Sequence, residues 1–263
     1  MKKLYQNIIL PTLILVIIFS INNTLASVGE GSTSALHPKQ IDWEFDGFLG
    51  RTDKQSIQRG YQVYKEVCSA CHSLKLFSYR NLRDIGFSEA ETKQIASEYM
   101  VTDGPNDDGE MFERGALPSD HFVGPFANEQ AARAANGGAL PPDLSLIIKA
   151  RHEGANYVYS LITGFANAPE EFHVTEGKYY NPYFEGRQIG MTPPLAEDGT
   201  VEYKDGTVAT KEQMAMDVVN FLQFVSEPEM EQRKKIGVAV MIFLAILTIL
   251  FAIAKKRIWK KLD

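Results

Sequence analysis

The amino-acid sequence predicts a mostly α-helical fold: one domain with long loop insertions, followed by a single C-terminal transmembrane helix. Three observations carry this expectation. Apolar residues recur at three- and four-residue steps over 52–67 and 210–226, as they do on the buried face of a helix. Between those segments lie stretches rich in Gly, Pro and Asn, at 103–110, 136–143 and 179–194, which suit irregular connections. Ile236 to Ala254 is an uncharged run of 19 residues that as a helix would extend about 28 Å, close to the hydrocarbon thickness of a bilayer.

The two ends set the topology. Lys2 and Lys3, the apolar run Ile8–Phe19 and the small-residue site Thr24-Leu25-Ala26 read as a secretory signal peptide over 1–26. A mitochondrial transit peptide would be rich in Arg, and this segment has none, so export across a bacterial inner membrane is expected. Its removal takes two lysines and no acids, moving the net charge from −6 to −8. An acidic domain is a poor partner for nucleic acid. Residues 27–230 then form the exported domain, 231–255 the transmembrane anchor and 256–263 a basic tail. Lys255, Lys256, Arg257, Lys260 and Lys261 follow the apolar run, whereas Arg233, Lys234 and Lys235 before it are interleaved with Glu227, Glu229 and Glu231. That asymmetry places the tail in the cytoplasm and the domain in the periplasm, in a single-pass topology. A buried helix of a soluble protein would not carry so long an uncharged run between basic flanks.

Taken in order, Val28–Ser34 is a Gly- and Ser-rich lead-in, and Trp43, Phe45 and Phe48 form an aromatic packing arm. Thr52 or Asp53 caps a helix whose apolar face is Ile57, Gly60, Tyr61, Tyr64 and Val67, with Gly60 leaving room for another helix to approach. Ser88-x-x-Glu91 is a capping box that opens a helix to about Met100. Asp103–Glu110 is an acidic, turn-rich loop; it lacks the ordered alternation of an EF-hand calcium loop and offers an acidic surface to a basic partner protein. A helix is expected over 157–164, a small hairpin around Asp198-Gly199 and Asp205-Gly206, and a last soluble helix from the capping box Thr210-x-x-Gln213, with Met214, Val218, Phe221, Leu222 and Val225 on one face, ending before Pro228.

The chemistry lies just after the first helix. Cys68-Ser69-Ala70-Cys71-His72 is a Cys-x-x-Cys-His sequence, the attachment pattern of haem c: each thiol adds to one vinyl group and the adjacent imidazole becomes an axial iron ligand. A redox dithiol or half of a zinc site uses the same spacing, but a zinc site needs a second pair. Cys68 and Cys71 are the chain's only cysteines, and His37, His121, His152 and His173 are scattered singly. An electron-transfer haem needs a second axial ligand, and a Met thioether would favour the reduced iron. Met191 is the candidate, because Gly190-Met191-Thr192-Pro193-Pro194 fixes its backbone; core packing is the competing role for a single Met, and Met100 and Met111 also lie in loops or beside them.

Several further motifs stand out: Tyr64-x-x-Val67-Cys68-x-x-Cys71-His72, Tyr79-Arg80-Asn81-Leu82, Asp103-Gly-Pro-Asn with Gly109-Glu-Met-Phe112, Ala131–Asn136 with Gly138–Ser145, and Asn181-Pro-Tyr-Phe184 with Ile189–Pro194. Together they resemble the cytochrome c1 family, the haem c subunits of the cytochrome bc1 complex. The resemblance runs from Trp43 through the anchor. It implies a class I-like cytochrome c haem domain with one covalent haem c on Cys68 and Cys71, His72 and Met191 as axial ligands, the Pro142 carbonyl accepting from His72 Nδ1, and Asn136, Arg151 and Tyr157 near the cofactor, the last two by its propionates. It also implies cytochrome b and a Rieske iron–sulfur protein as partners in a dimeric complex, and a cytochrome c as electron acceptor. By itself such a subunit is not an enzyme. The disulfide that some members carry is impossible here, since both cysteines are committed. Another anchored c-type cytochrome feeding a terminal oxidase or reductase is the first alternative; a haem enzyme or gas sensor with an open iron is the second.

Overall fold

The computed structural model describes residues 35–260. The expected signal peptide, the lead-in 28–34 and Lys261 lie outside the described residues.

Helix α1 (Lys54–Glu66) starts where the Asp53 carboxylate accepts from the Gln55 amide. Thr52, the other capping candidate, is used elsewhere. Helix α1 crosses α5 (Lys211–Ser226), and this crossing is the centre of the domain. Ile57, Tyr61 and Tyr64 from one helix and Met214, Val218, Phe221, Leu222 and Val225 from the other are all buried. Gly60 sits at the crossing point: a Cβ there would stand 1.9 Å from the Asp217 carbonyl oxygen, so the two backbones touch. The Asp217 carboxylate is buried in the same crossing and satisfied by Arg59 Nε (2.9 Å) and Nη2 (3.0 Å), Ser56 Oγ (2.7 Å) and Gln213 Nε2 (3.1 Å). Only half of the expected capping box at α5 is made. Thr210 Oγ1 accepts from the Gln213 amide, but the Thr210 amide already bonds the Val208 carbonyl, so the Gln213 side chain turns forward to Asp217.

Helix α2 (Glu89–Ser97) has the full Ser88–Glu91 capping box. It stops three residues short of Met100, because Met100–Asp103 (β1) pairs antiparallel with Phe112–Gly115 (β2), Met100 opposite Gly115. The acidic loop is therefore the tip of a hairpin, braced at its base by Arg114, whose guanidinium bonds Asp103 and Asp120. Both carboxyls are held below the ordinary value by that guanidinium. Helix α3 (Glu129–Ala135) precedes the Gly/Pro loop, and α4 (Gly154–Thr163) packs on α5. The latter begins three residues before the expected start, after Glu153 in the left-handed region (φ 64°). Strands β3 (Tyr179–Tyr180) and β4 (Gln188–Ile189) close the loop that leads to Met191.

The expected hairpin at 198–206 is absent; the two Asp-Gly pairs form turns without a ladder. Val201 and Tyr203 are drawn into the core instead of pairing, and the aspartates do local work: Asp198 accepts from the Lys211 amide at the start of α5, and Asp205 from Thr207 and Arg59. In the aromatic arm Trp43 and Phe45 stack with ring centres 5.3 Å apart, and Trp43 Nε1 donates to Asn156 (2.8 Å), but Phe48 is 61% exposed and takes no part.

After Pro228 the chain restarts as α6 (Met230–Trp259), 30 residues and about 45 Å long. It is long and apolar enough to cross a membrane. Its first turns are fastened to the domain: Met230 is buried, Glu231 accepts from the Thr52 amide and hydroxyl, and Lys234 Nζ donates to the carbonyls of Phe45 and Gly50.

Candidate haem site

Helix α1 delivers the attachment motif. As it ends, Cys68–Ala70 tightens into a 3-10 turn in which the amides of both Cys71 (3.1 Å) and His72 (2.9 Å) donate to the Cys68 carbonyl. Ser69 Oγ ties the turn back to the Lys65 carbonyl (2.7 Å). The two cysteines are not joined in a disulfide. Burial pushes the Cys68 thiol up to about 12. Among the described residues no group of three or more His, Cys, Asp and Glu is placed to hold a metal ion on its own.

His72 is held by its other ring nitrogen. Nδ1 lies 2.8 Å from the Pro142 carbonyl oxygen. A carbonyl can only accept, so Nδ1 carries the proton and Nε2 is left with its lone pair free. Burial lowers the basicity of the ring, against the opposing pull of Pro142 and Asp143, which favours the neutral imidazole a metal ligand must be. The Tyr64 hydroxyl donates to the His72 carbonyl (3.0 Å) and fixes the main chain behind the ring.

The loop that supplies Pro142 is stitched to the segment following His72. Asp143 accepts from Ser73 Oγ (2.7 Å) and the amides of Lys75 (2.8 Å) and Ser145 (2.9 Å), and the Leu144 amide donates to the Ser73 carbonyl (2.9 Å). Burial would raise the Asp143 carboxyl, but those hydrogen bonds outweigh it and hold it below the ordinary value. The Met191 loop rests on the same surface: a Cβ on Gly190 would meet the Ala139 methyl at 3.3 Å. The structure thus joins segments 72–75 and 142–145 directly and lays Gly190, next to the half-buried Met191, against Ala139 of the same Gly/Pro loop.

The remaining sequence candidates fall into two groups. The Arg151 guanidinium faces the Tyr157 hydroxyl, opposing the upward push of burial on that phenol, so these two are neighbours. Arg151 also donates to the Ala150 carbonyl (3.1 Å) and is exposed. Asn136 spends its amide nitrogen on the Ala132 carbonyl (2.7 Å), closing the end of α3. Tyr64 was expected only on the apolar face of the first helix, and no site role was expected for Tyr64, Ser73 or Asp143. A readable signal did exist for Asp143, since Asp two residues before Ser is the pattern of an Asx turn.

Two thiols three positions apart on one tight turn, not consumed in a disulfide and followed by an imidazole whose Nε2 lone pair is available, fit covalent haem c in donor type and tautomer. Residues 43–262 match the Cytochrome C1 family. The chain belongs to the cytochrome c1 family. It is 47% identical over 251 residues to the cytochrome c1 of Rhodospirillum rubrum, covering 89% of this chain and 91% of the relative. It is 47% identical over 225 residues to the mitochondrial cytochrome b-c1 complex catalytic subunit of Candida albicans, covering 85% and 78%. It is 45% identical over 256 residues to the cytochrome b/c1 of Bradyrhizobium diazoefficiens, covering 89% of this chain and 37% of that longer protein. Membership of the cytochrome c1 family implies haem c as the cofactor and electron transport as the setting.

Proposed function

We propose that the chain is the electron-transfer subunit of a quinol–cytochrome c oxidoreductase, passing electrons one at a time from a Rieske iron–sulfur protein to a cytochrome c. When bound, haem c supplies a one-electron couple between ferrous and ferric iron. Cys68 and Cys71 would hold it covalently, His72 and Met191 would ligate its iron, and Arg151 with Tyr157 would serve its propionates. The observation that carries this reading is the Nδ1–Pro142 hydrogen bond, which presents a neutral imidazole with one free nitrogen directly after the dithiol turn. Because this chain would supply both iron ligands, His72 and Met191, neither would have to be exchanged for a substrate, which suits electron transfer and not substrate chemistry.

The remaining residues bind and orient. The hairpin tip exposes Asp107, Asp108 and Glu110, which would steer a basic cytochrome c through long-range attraction. The apolar span of α6 would anchor the domain in a bacterial inner membrane, with the basic residues after it in the cytoplasm and the haem domain in the periplasm. The name of the Bradyrhizobium relative, cytochrome b/c1, and that of the Candida relative support cytochrome b as a neighbour in the complex; a Rieske iron–sulfur protein would be the immediate donor.

Affinity purification of the tagged chain from membranes tests the reading. Cytochrome b and the iron–sulfur protein should co-purify, quinol should reduce the haem, and oxidation by cytochrome c should slow as ionic strength rises. A chain that purifies without cytochrome b and is not reduced by quinol would overturn the reading, and a rate indifferent to salt would remove the steering role of the hairpin.

A further inference from the structure

The carboxylate of Asp143 joins two segments that are far apart in sequence and each one residue from the imidazole contact. Its Oδ2 accepts from Ser73 Oγ (2.7 Å) and the Lys75 amide (2.8 Å), next to His72; its Oδ1 accepts from the Ser145 amide (2.9 Å), on the Pro142 side. Two flanking bonds repeat the bridge: the Leu144 amide to the Ser73 carbonyl (2.9 Å), and the Leu76 amide to Ser145 Oγ (3.0 Å), with Ser145 only 1% exposed. Pro142 has no amide proton and cannot anchor its own segment through one, so the position of its carbonyl depends on its neighbour. Five hydrogen bonds therefore converge where a displacement of a few tenths of an ångström would turn the His72 ring.

Resting on the haem ligation proposed above, we propose that Asp143 is a positioning residue: its carboxylate locks the Pro142 carbonyl against His72 Nδ1 and so fixes both the plane and the basicity of the proximal imidazole. A hydrogen bond at Nδ1 raises the basicity of the ligating nitrogen and favours ferric iron, so loosening it raises the midpoint potential. Loss of a nearby negative charge acts in the same direction. The two contributions separate because Ser73→Ala removes one arm of the clamp and leaves the charge, whereas Asp107→Asn removes a charge from the hairpin tip and leaves the clamp.

The test uses membranes carrying the full-length chain in its complex. Redox titration gives the midpoint potential, and electron paramagnetic resonance of the oxidised haem reports the orientation of the axial ligands. Asp143→Ala should raise the potential and displace or broaden the low-field resonance; Ser73→Ala should do both to a smaller degree, and Asp107→Asn should leave the resonance unchanged. Asp143→Asn keeps the Ser145 contact but sets a donor against the Lys75 amide, and should fall between the first two. If Asp143→Ala yields no holoprotein, Ser73→Ala and Asp143→Asn decide. An unshifted resonance in both, with any change in potential confined to the charge-removing variants, would overturn the positioning role. A parent protein that lacks the low-spin signal and binds carbon monoxide would instead overturn the ligation on which the proposal rests, a distinct result.

Discussion

Gly60→Ala is the substitution for which the structure gives the clearest magnitude. The added methyl would sit 1.9 Å from the Asp217 carbonyl oxygen, 2.5 Å from its carbon and 2.8 Å from Phe221 Cβ. Two of these atoms are backbone, so no rotamer change relieves the clash, and α1 and α5 must part by about 1 Å before the contact reaches a tolerable 3 Å. Overpacking of this kind costs about 1–3 kcal/mol, and a gap of 0.5–1 Å forfeits a quarter to a half of the dispersion attraction across the interface. Ala improves the intrinsic propensity of the helix by about 1 kcal/mol. The crossing holds Ile57, Tyr61, Tyr64, Phe221 and Leu222 as well as the Arg59–Asp217 pair, so the loss is spread over the whole centre of the domain and a net destabilisation of about 2 kcal/mol follows. For a domain of this size that lowers Tm by about 4–8 °C. Thermal unfolding of the purified holoprotein followed by circular dichroism, at one scan rate for parent and variant, measures it. Gln55→Ala, on the exposed side of α1, serves as the control and should stay within about 0.5 kcal/mol. A Gly60→Ala protein as stable as the parent would refute the close crossing of the two backbones.

Three further outcomes follow from other contacts. Asp217→Ala leaves the Arg59 guanidinium, only 14% exposed, without its buried partner, and should cost about 3 kcal/mol, the low end for a broken buried pair, as read by denaturant unfolding. Arg114 depresses both Asp103 and Asp120, so the stabilisation they give the hairpin is complete above the ordinary carboxylate value of 3.8 and is lost as pH falls through their lowered values. Protection of the Val101 and Arg114 amides against exchange, measured relative to the intrinsic rate at each pH, should fall in that acid window, and Arg114→Ala should remove most of that fall for the Val101 amide. Replacing Thr52 and Lys234 together by Ala should loosen the seat of α6 and speed proteolysis between Glu227 and Lys235; an unchanged cleavage rate would contradict the fastening seen there.

What the sequence made legible was what depends on local pattern. The stripes of α1 and α5 are buried as their periodicity indicates, the Ser88–Glu91 cap opens its helix, and Gly60 is where a second helix comes close. The attachment motif and the Met191 loop were conspicuous because thiol spacing and a Pro-Pro pair are readable in one dimension. The errors arose where tertiary partners outweigh local signals. Asp-Gly pairs at 198 and 205 suggested a hairpin, but Val201 and Tyr203 are taken by the core and the aspartates by Lys211, Thr207 and Arg59. The true hairpin, 100–115, has strands of four residues braced by ion pairs at 103, 114 and 120, with no alternating apolar pattern to announce it. Phe48 looked like a member of the aromatic arm because composition cannot distinguish a ring that packs from one that faces solvent. Asp143 was overlooked because its importance lies in joining segments 70 residues apart.

In the proposed function, His72 and Met191 both ligate the iron of a covalent haem c. The visible and near-infrared spectrum of the purified holoprotein, oxidised and reduced, with carbon monoxide added to the reduced form, tests it most directly. A methionine–iron charge-transfer band that disappears in Met191→Ala, together with indifference to carbon monoxide in the parent, is the predicted result. Ready binding of carbon monoxide by the parent would mean an open iron, and a catalytic or gas-sensing role would then replace the electron relay.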